Sequence, residues 1–128
     1  HLVILDDCYN ANPVSMKAAI DVLGMALGRK VAVLGGMGEL GNKQDTMHYD
    51  TGVYAAERNV DLVCGIGELA KEMVRGASTG AHTQALWFAE KADFLKEMHS
   101  LLKEGDNILV KASHSMEFPE IVEKLKGF

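Results

Sequence analysis

The sequence predicts an α/β fold of three layers, a mainly parallel sheet with helices on both faces, in one domain over residues 1–128. Two observations predict it. Five apolar runs of strand length alternate with five stretches of helical periodicity, and β and α segments that alternate along a chain join by right-handed crossovers into a parallel sheet. No repeat, linker or low-complexity segment interrupts the alternation. A chain of 128 residues can also bury roughly two-thirds of the surface its unfolded form exposes, so the core needs no staple.

The elements follow in order. Leu2-Val3-Ile4-Leu5 predicts a strand over 2–5, which breaks into Asp6-Asp7-Cys8-Tyr9-Asn10-Ala11-Asn12-Pro13. Asn12 is the N-cap expected for the next helix, with Pro13 at the first helical position where its missing N–H costs nothing. That explains one asparagine and leaves Asp6, Asp7, Tyr9 and Asn10 without a structural reason. Met16, Ala19, Ile20, Leu23 and Leu27 then mark one buried helical face with Gly28 as its stop. A second strand over 31–34 leads into Gly35-Gly36-Met37-Gly38-Glu39-Leu40-Gly41 and a helix over 46–59. A third over 62–64 leads into Gly65-Ile66-Gly67-Glu68 and a helix over 68–75. After a fourth strand over 85–88, Phe94, Leu95, Met98, Leu101 and Leu102 repeat the helical spacing before Gly105. A fifth strand over 108–110 is followed by Lys111-Ala112-Ser113-His114-Ser115-Met116 and a helix over 119–126. Met16, Met25, Met73 and Met98 fall on helical faces and read as core filler.

Placed on that frame, the unusual residues gather on one side. The loops after strands one, two, three and five carry the polar and glycine-rich segments, beyond the carboxyl ends of strands, where open α/β sheets bind ligands. The opposite connections are plainer: Gly28-Arg29-Lys30, Asn59-Val60-Asp61, Glu104-Gly105-Asp106.

Composition excludes several classes. A formal charge of -5 argues against a general nucleic-acid or anionic-membrane surface. No apolar run approaches the roughly 20 residues of a membrane helix, and no signal peptide opens the chain. Cys8 and Cys64 lie far apart, with no spacing suited to zinc, and read as reduced residues of a cytoplasmic protein, with no metal site expected. The chain opens on His1 and enters a strand almost at once, as a segment cut from a longer protein does, so upstream sequence is expected.

Gly36-x-Gly38-x-x-Gly41 matches the dinucleotide fingerprint in form, with Asp61 about 20 residues onward. It follows the second strand, however, and Asn42, Lys43 and Gln44 separate it from the next helical pattern. Asp6, Asp7 and Lys111 suggest a phosphoacceptor receiver, but the third strand ends Cys64-Gly65 where that reading needs an aspartate. A stand-alone dinucleotide-binding or regulatory α/β module remains the competing reading. No G-x-x-x-x-G-K-[ST] loop is present, so no triphosphate is cradled by that device. His82 and His99 read as solvated or packing residues. His48, after the glycine loop, reads as a group of interest or a surface residue at a helix start. His114 lies in a suspected ligand loop.

Asp6-Asp7-Cys8-Tyr9-Asn10-Ala11-Asn12-Pro13 with Ser15 and Met16 resembles the D-D-x-Y-N-A-N-P-x-S-M signature of the Mur ligase family, in its D-alanyl-D-alanine-adding branch. The likeness continues through Val33-Leu34-Gly35-Gly36-Met37-Gly38-Glu39-Leu40-Gly41, then His48 and Gly52, Gly105-Asp106, and Leu109-Val110-Lys111-Ala112-Ser113-His114-Ser115-Met116. Several motifs in one order span essentially the whole chain.

The resemblance implies the Rossmann-like C-terminal domain of a three-domain peptidoglycan ligase, with the UDP-sugar and ATPase domains outside this chain. In that family ATP, with Mg2+ bound mainly by the central domain, phosphorylates the carboxylate of UDP-N-acetylmuramoyl-tripeptide. The amine of D-alanyl-D-alanine then attacks the acyl phosphate. By position, Asp7, Tyr9, Asn10 and Asn12 would face the nucleotide, and Lys111, Ser113, His114 and Met116 would shape the dipeptide pocket. The implied partner is the protein's own central domain, no catalytic residue is implied in this segment, and the isolated domain is expected to be inert. Three positions depart from the family pattern: Gly36 replaces an aspartate, Ala112 a glycine, and His114 an arginine. The last removes a bidentate carboxylate clamp.

Overall fold

The computed structural model describes residues 2–8 and 11–128. Among them, five strands form one sheet in which every pairing is parallel: β1 (Val3–Asp6), β2 (Lys30–Gly35), β3 (Leu62–Ile66), β4 (Gln84–Phe88) and β5 (Asn107–Lys111). The helices between and after them are α1 (Pro13–Gly24), α2 (Gln44–Glu57), α3 (Ala70–Ala77), α4 (Lys91–Leu101) and α5 (Pro119–Lys126).

Strand side chains alternate between two cores, as the two-residue period of a strand requires. Ala32, Leu34, Val63 and Leu109 join Met16, Ile20 and Leu23 of α1, Ala55 of α2 and Met73 of α3. Val31, Val33, Cys64, Ile108 and Val110 join Phe94 and Met98 of α4 and Phe118, Ile121 and Leu125 around α5. The three-layer expectation is met, with three helices on one face and two on the other. Helices α2 and α3 approach closely at Gly52 and Gly76, where a Cβ would run into the backbone of the opposite helix. This seats α2 rigidly, which matters for His48.

The strand order is β1-β5-β2-β3-β4. β5 therefore lies between β1 and β2, with Asp6 opposite Val110 and Leu34 opposite Lys111. The chain's last strand is inserted beside its first, which brings the loops after β1, β5 and β2 together on one rim.

Several boundaries differ from expectation. Each strand begins or ends one or two residues beyond its apolar run, because ladder bonds extend into flanking polar and glycine residues. Gly35 belongs to β2, Gly65 and Ile66 to β3, and Lys111 to β5 rather than to the loop beyond it. Helix α1 ends at Gly24, so Leu27 is 93% exposed and Met25 is exposed as well, not core filler. The helical spacing continued past the true end, and a turn carries Leu27 away before Gly28. Helix α2 starts at Gln44 after a short 3-10 turn over Gly41–Lys43, and α3 is shifted two residues later than expected.

Candidate functional site

The loop after β1 begins where Asp7 N–H donates to Val110 O, at 3.1 Å, continuing the ladder by one bond. Cys8 is buried against the same strand, its Sγ donating to Val110 O at 3.5 Å. Burial and the adjacent Asp6 push this thiol up to about 12, and burial alone does the same to Cys64. Both cysteines are free, buried and protonated near neutrality, hence unreactive. Tyr9 and Asn10, both expected to face the nucleotide, lie outside the described residues.

Asn12 caps α1 as expected. Its Oδ1 accepts from Ser15 N–H at 2.9 Å, while Ser15 Oγ accepts from Asn12 N–H at 3.0 Å, and Pro13 occupies the first helical position. This reciprocal box satisfies two donors that a helix start would otherwise leave unpaired. The carbonyl of the Asn12 side chain is thereby committed, and its amide nitrogen is the group left to meet a ligand.

Asp7 and Lys111, expected on opposite halves of the site, form one pair. Lys111 Nζ lies 2.8 Å from Asp7 Oδ2, with the lysine side chain 1% and the aspartate 47% exposed. Lys111 projects from the end of β5 into the interior beneath the rim. It anchors the β1 loop from below, and a carboxylate reaching it would have to displace Asp7. Asp7 also borders an apolar cleft of about 360 Å³ with Ile4, Leu5, Ala19 and Val22.

One cleft of about 370 Å³ brings together three loops: Ala11 and Asn12 after β1, Gly38 and Glu39 after β2, and Ser113 and Ser115 after β5. Its walls offer an amide, a carboxylate and two hydroxyls whose oxygens stand 3.3 Å apart. Glu39 adopts a left-handed backbone conformation, φ 60°, a strain that persists in non-glycine residues only where surrounding structure enforces it. Asn12 from the expected nucleotide set and Ser113 from the expected dipeptide set thus line one cleft.

His114 and Met116 stand elsewhere. His114 is exposed and lines a separate cleft of about 400 Å³ with Lys91, Glu117, Pro119 and Glu120. Lys91 Nζ donates to Glu117 O at 3.2 Å and pairs with Glu120 at 2.9 Å, tying the turn after β5 to the start of α4. Met116 is half-buried against the core, its Cε beside Gly67. Of the four expected dipeptide residues, only Ser113 faces the three-loop cleft.

One of the departures from the family pattern has a packing reason. A Cβ at Gly36 would sit 2.9 Å from Leu69 Cβ, so an aspartate there requires Leu69 to move. The Cβ of Ala112 occupies the space beside Gly35, where a second Cβ would come within 2.7 Å. The fingerprint glycines meet no suitable acid, because Asp61 Oδ2 accepts from Lys30 N–H at 2.8 Å on the opposite rim. Among the described residues, no group of three or more His, Cys, Asp or Glu is arranged to hold a metal ion.

His48 is the residue whose place the sequence left undecided. It is fully buried, not at the surface. Nε2 accepts from Met37 N–H at 2.9 Å, and Nδ1 lies 2.6 Å from Gln44 O. Its spacing after the glycine loop was the available signal; burial of a helix-start residue was not visible, because the preceding 3-10 turn tucks that end of α2 under the loop.

Residues 1–114 match the family described as "Mur ligase, glutamate ligase domain". The chain is 37% identical over 127 residues to the UDP-N-acetylmuramoyl-tripeptide--D-alanyl-D-alanine ligase of Bacillus subtilis, covering 97% of this chain and 28% of that protein. A crystal structure of MurF from Acinetobacter baumannii superposes with a TM-score of 0.89 at 31% identity, over 99% of this chain and 28% of that one. The MurF ligase of Thermotoga maritima, solved in complex with ADP, gives 0.78 at 26% identity, over 98% and 28%. The chain thus spans a little over a quarter of the length of these relatives.

Proposed function

The chain belongs to the Mur ligase family, and from that premise we propose that it is the C-terminal domain of an ATP-dependent ligase joining D-alanyl-D-alanine to UDP-N-acetylmuramoyl-tripeptide in peptidoglycan synthesis. The observation that carries this reading is the three-loop cleft at the carboxyl rim, formed by the segments that resemble the family's motifs. The full-length relatives it matches are named for this reaction.

In the proposed reaction the γ-phosphoryl group of ATP passes to the tripeptide carboxylate, giving an acyl phosphate and ADP. The dipeptide amine then attacks the acyl carbon, phosphate leaves, and the amine loses a proton. This domain contributes positioning rather than chemistry. The Asn12 amide and the β1 loop meet the nucleotide, and the hydroxyls of Ser113 and Ser115 meet the incoming dipeptide, hydroxyls being able to donate to its carboxylate. Lys111 holds the β1 loop through Asp7 instead of meeting substrate in this arrangement. The phosphate-binding machinery belongs to a central domain with which this one closes, and closure aligns the two half-sites. The setting is the cytoplasm, where these nucleotide substrates are made; no helix among the described residues is long and apolar enough to cross a membrane.

The test is a ligation assay on the full-length protein with the UDP-tripeptide, ATP and D-alanyl-D-alanine, read by mass spectrometry. Product requiring all three is expected, and no turnover from residues 1–128 alone. Amide formation by the isolated chain, or nicotinamide-dinucleotide binding by it at micromolar concentration, would overturn the reading.

A further inference from the structure

We propose that His48 is a positioning residue for the dipeptide side of the site, acting by fixing the orientation of the peptide unit between Gly36 and Met37. The inference rests on the functional reading above. The N–H of that unit is Met37 N–H, which donates to His48 Nε2 at 2.9 Å. Its carbonyl is Gly36 O, which accepts from Ser113 N–H at 3.0 Å. A peptide unit is planar, so the two bonds are not independent. Holding the N–H toward His48 aims the carbonyl at Ser113, and turning the unit over breaks both.

Each part of the clamp has a physical reason. The imidazole accepts at Nε2, so Nδ1 carries the hydrogen and donates to Gln44 O at 2.6 Å, within the first turn of α2. The ring is thus in one tautomer, seated on a helix that is itself locked against α3 at Gly52 and Gly76. Met37 is buried, and without His48 its N–H would be an unsatisfied buried donor. Glycine on one side of the unit lowers the barrier to an alternative orientation. Ser113, at the far end, bears one of the cleft's two hydroxyls, and Gly38 and Glu39, which follow Met37, line the same cleft. A histidine that is not among the cleft's lining residues thereby ties together two of the segments that line it.

The test compares wild type, His48→Asn and His48→Gln in the full-length ligase. A glutamine places an amide oxygen near the position of Nε2 and keeps the acceptor, whereas asparagine is too short. With His48→Asn, the KM for D-alanyl-D-alanine is expected to rise about tenfold, the scale of one lost hydrogen bond, while the KM for ATP changes less than about twofold. With His48→Gln, the dipeptide KM returns to within about threefold of wild type. Equal dipeptide KM in all three proteins, or loss of affinity for every substrate alike in both variants, would overturn the proposal. Amide hydrogen exchange, read on the same proteins, separates this from the functional reading. Met37 and Ser113 N–H should lose protection together in His48→Asn and keep it in His48→Gln, whether or not the wild type ligates the dipeptide. Unchanged protection at Met37 in His48→Asn, or loss at Met37 with Ser113 unaffected, would overturn the coupling even in an active enzyme. If His48→Asn does not fold, a His48→Gln protein with unprotected Met37 and Ser113 amides would do the same.

Discussion

The two rims of the sheet spend their polar residues differently. At the amino-end rim, Asp106 accepts from Arg29 at 2.6 Å and from Lys103 N–H at 2.8 Å. Asn107 donates to Leu27 O at 2.7 Å, and Asp61 receives Lys30 N–H. At the carboxyl-end rim, the anchors are buried Lys111, paired with Asp7, and buried His48, while Asn12, Glu39, Ser113 and Ser115 line an open cleft. One rim consumes its hydrogen-bonding capacity in closing connections; the other fixes the bases of its loops and leaves their tips for a ligand. A rim built only to turn the chain would resemble the first.

Substitutions can break this contrast, and the largest effect belongs to the amino rim. Asp106→Ala strips Arg29 and the Lys103 amide of one nearly buried carboxylate and is expected to cost about 3 kcal/mol, measured by urea denaturation, with substrate KM values unchanged in any variant that stays folded. Asp7→Ala leaves the Lys111 ammonium buried without this partner. Because Asp7 is half-exposed, the loss is smaller, about 2 kcal/mol, but here a rise in the KM for ATP accompanies it as the β1 loop comes off its anchor. Asn12→Ala removes the α1 cap at about 1 kcal/mol and also weakens ATP. Ser113→Ala and Ser115→Ala should change stability by less than about 0.5 kcal/mol while raising the dipeptide KM, which separates a ligand wall from a structural one.

The smallest expected effect is a pH dependence. The hydrogen bond from Lys91 holds the Glu120 carboxyl below the usual glutamate range. A carboxyl lowered in the folded state contributes stability that is present above its unfolded value and lost as pH falls through the folded one. Acidification through the glutamate range should therefore loosen the 114–117 turn, seen as faster amide exchange at Glu117 than its intrinsic rate at that pH accounts for.

The alternation of apolar runs and helical spacings was enough to read the layers, and the polar excess after strands was enough to find the carboxyl rim. Strand order was not legible. Nothing local in Ile108-Leu109-Val110 says that β5 inserts between β1 and β2, yet that insertion is what brings Asn12 and Ser113 to one cleft. Leu27 misled because periodicity carries no stop signal of its own. Lys111 reads as a loop residue because it ends the apolar run; that the ladder carries it into β5 and that Asp7 is its partner show only in three dimensions. The short connections that looked plain hold Arg29, Asp61 and Asp106, whose bonds span 31 and 77 residues of sequence. His48 was singled out by spacing, but its bond to Met37 depends on how the 3-10 turn folds the start of α2 beneath the loop.

The central claim is that the cleft between Asn12 and Ser113 is half of a ligase site. The most direct measurement is the steady-state kinetics of full-length protein carrying Asn12→Ala, Ser113→Ala, or both. The account predicts a raised KM for ATP in the first, a raised KM for D-alanyl-D-alanine in the second, both in the double variant, and an unchanged KM for the UDP-tripeptide throughout. Wild-type values for both substrates in a folded double variant would contradict it.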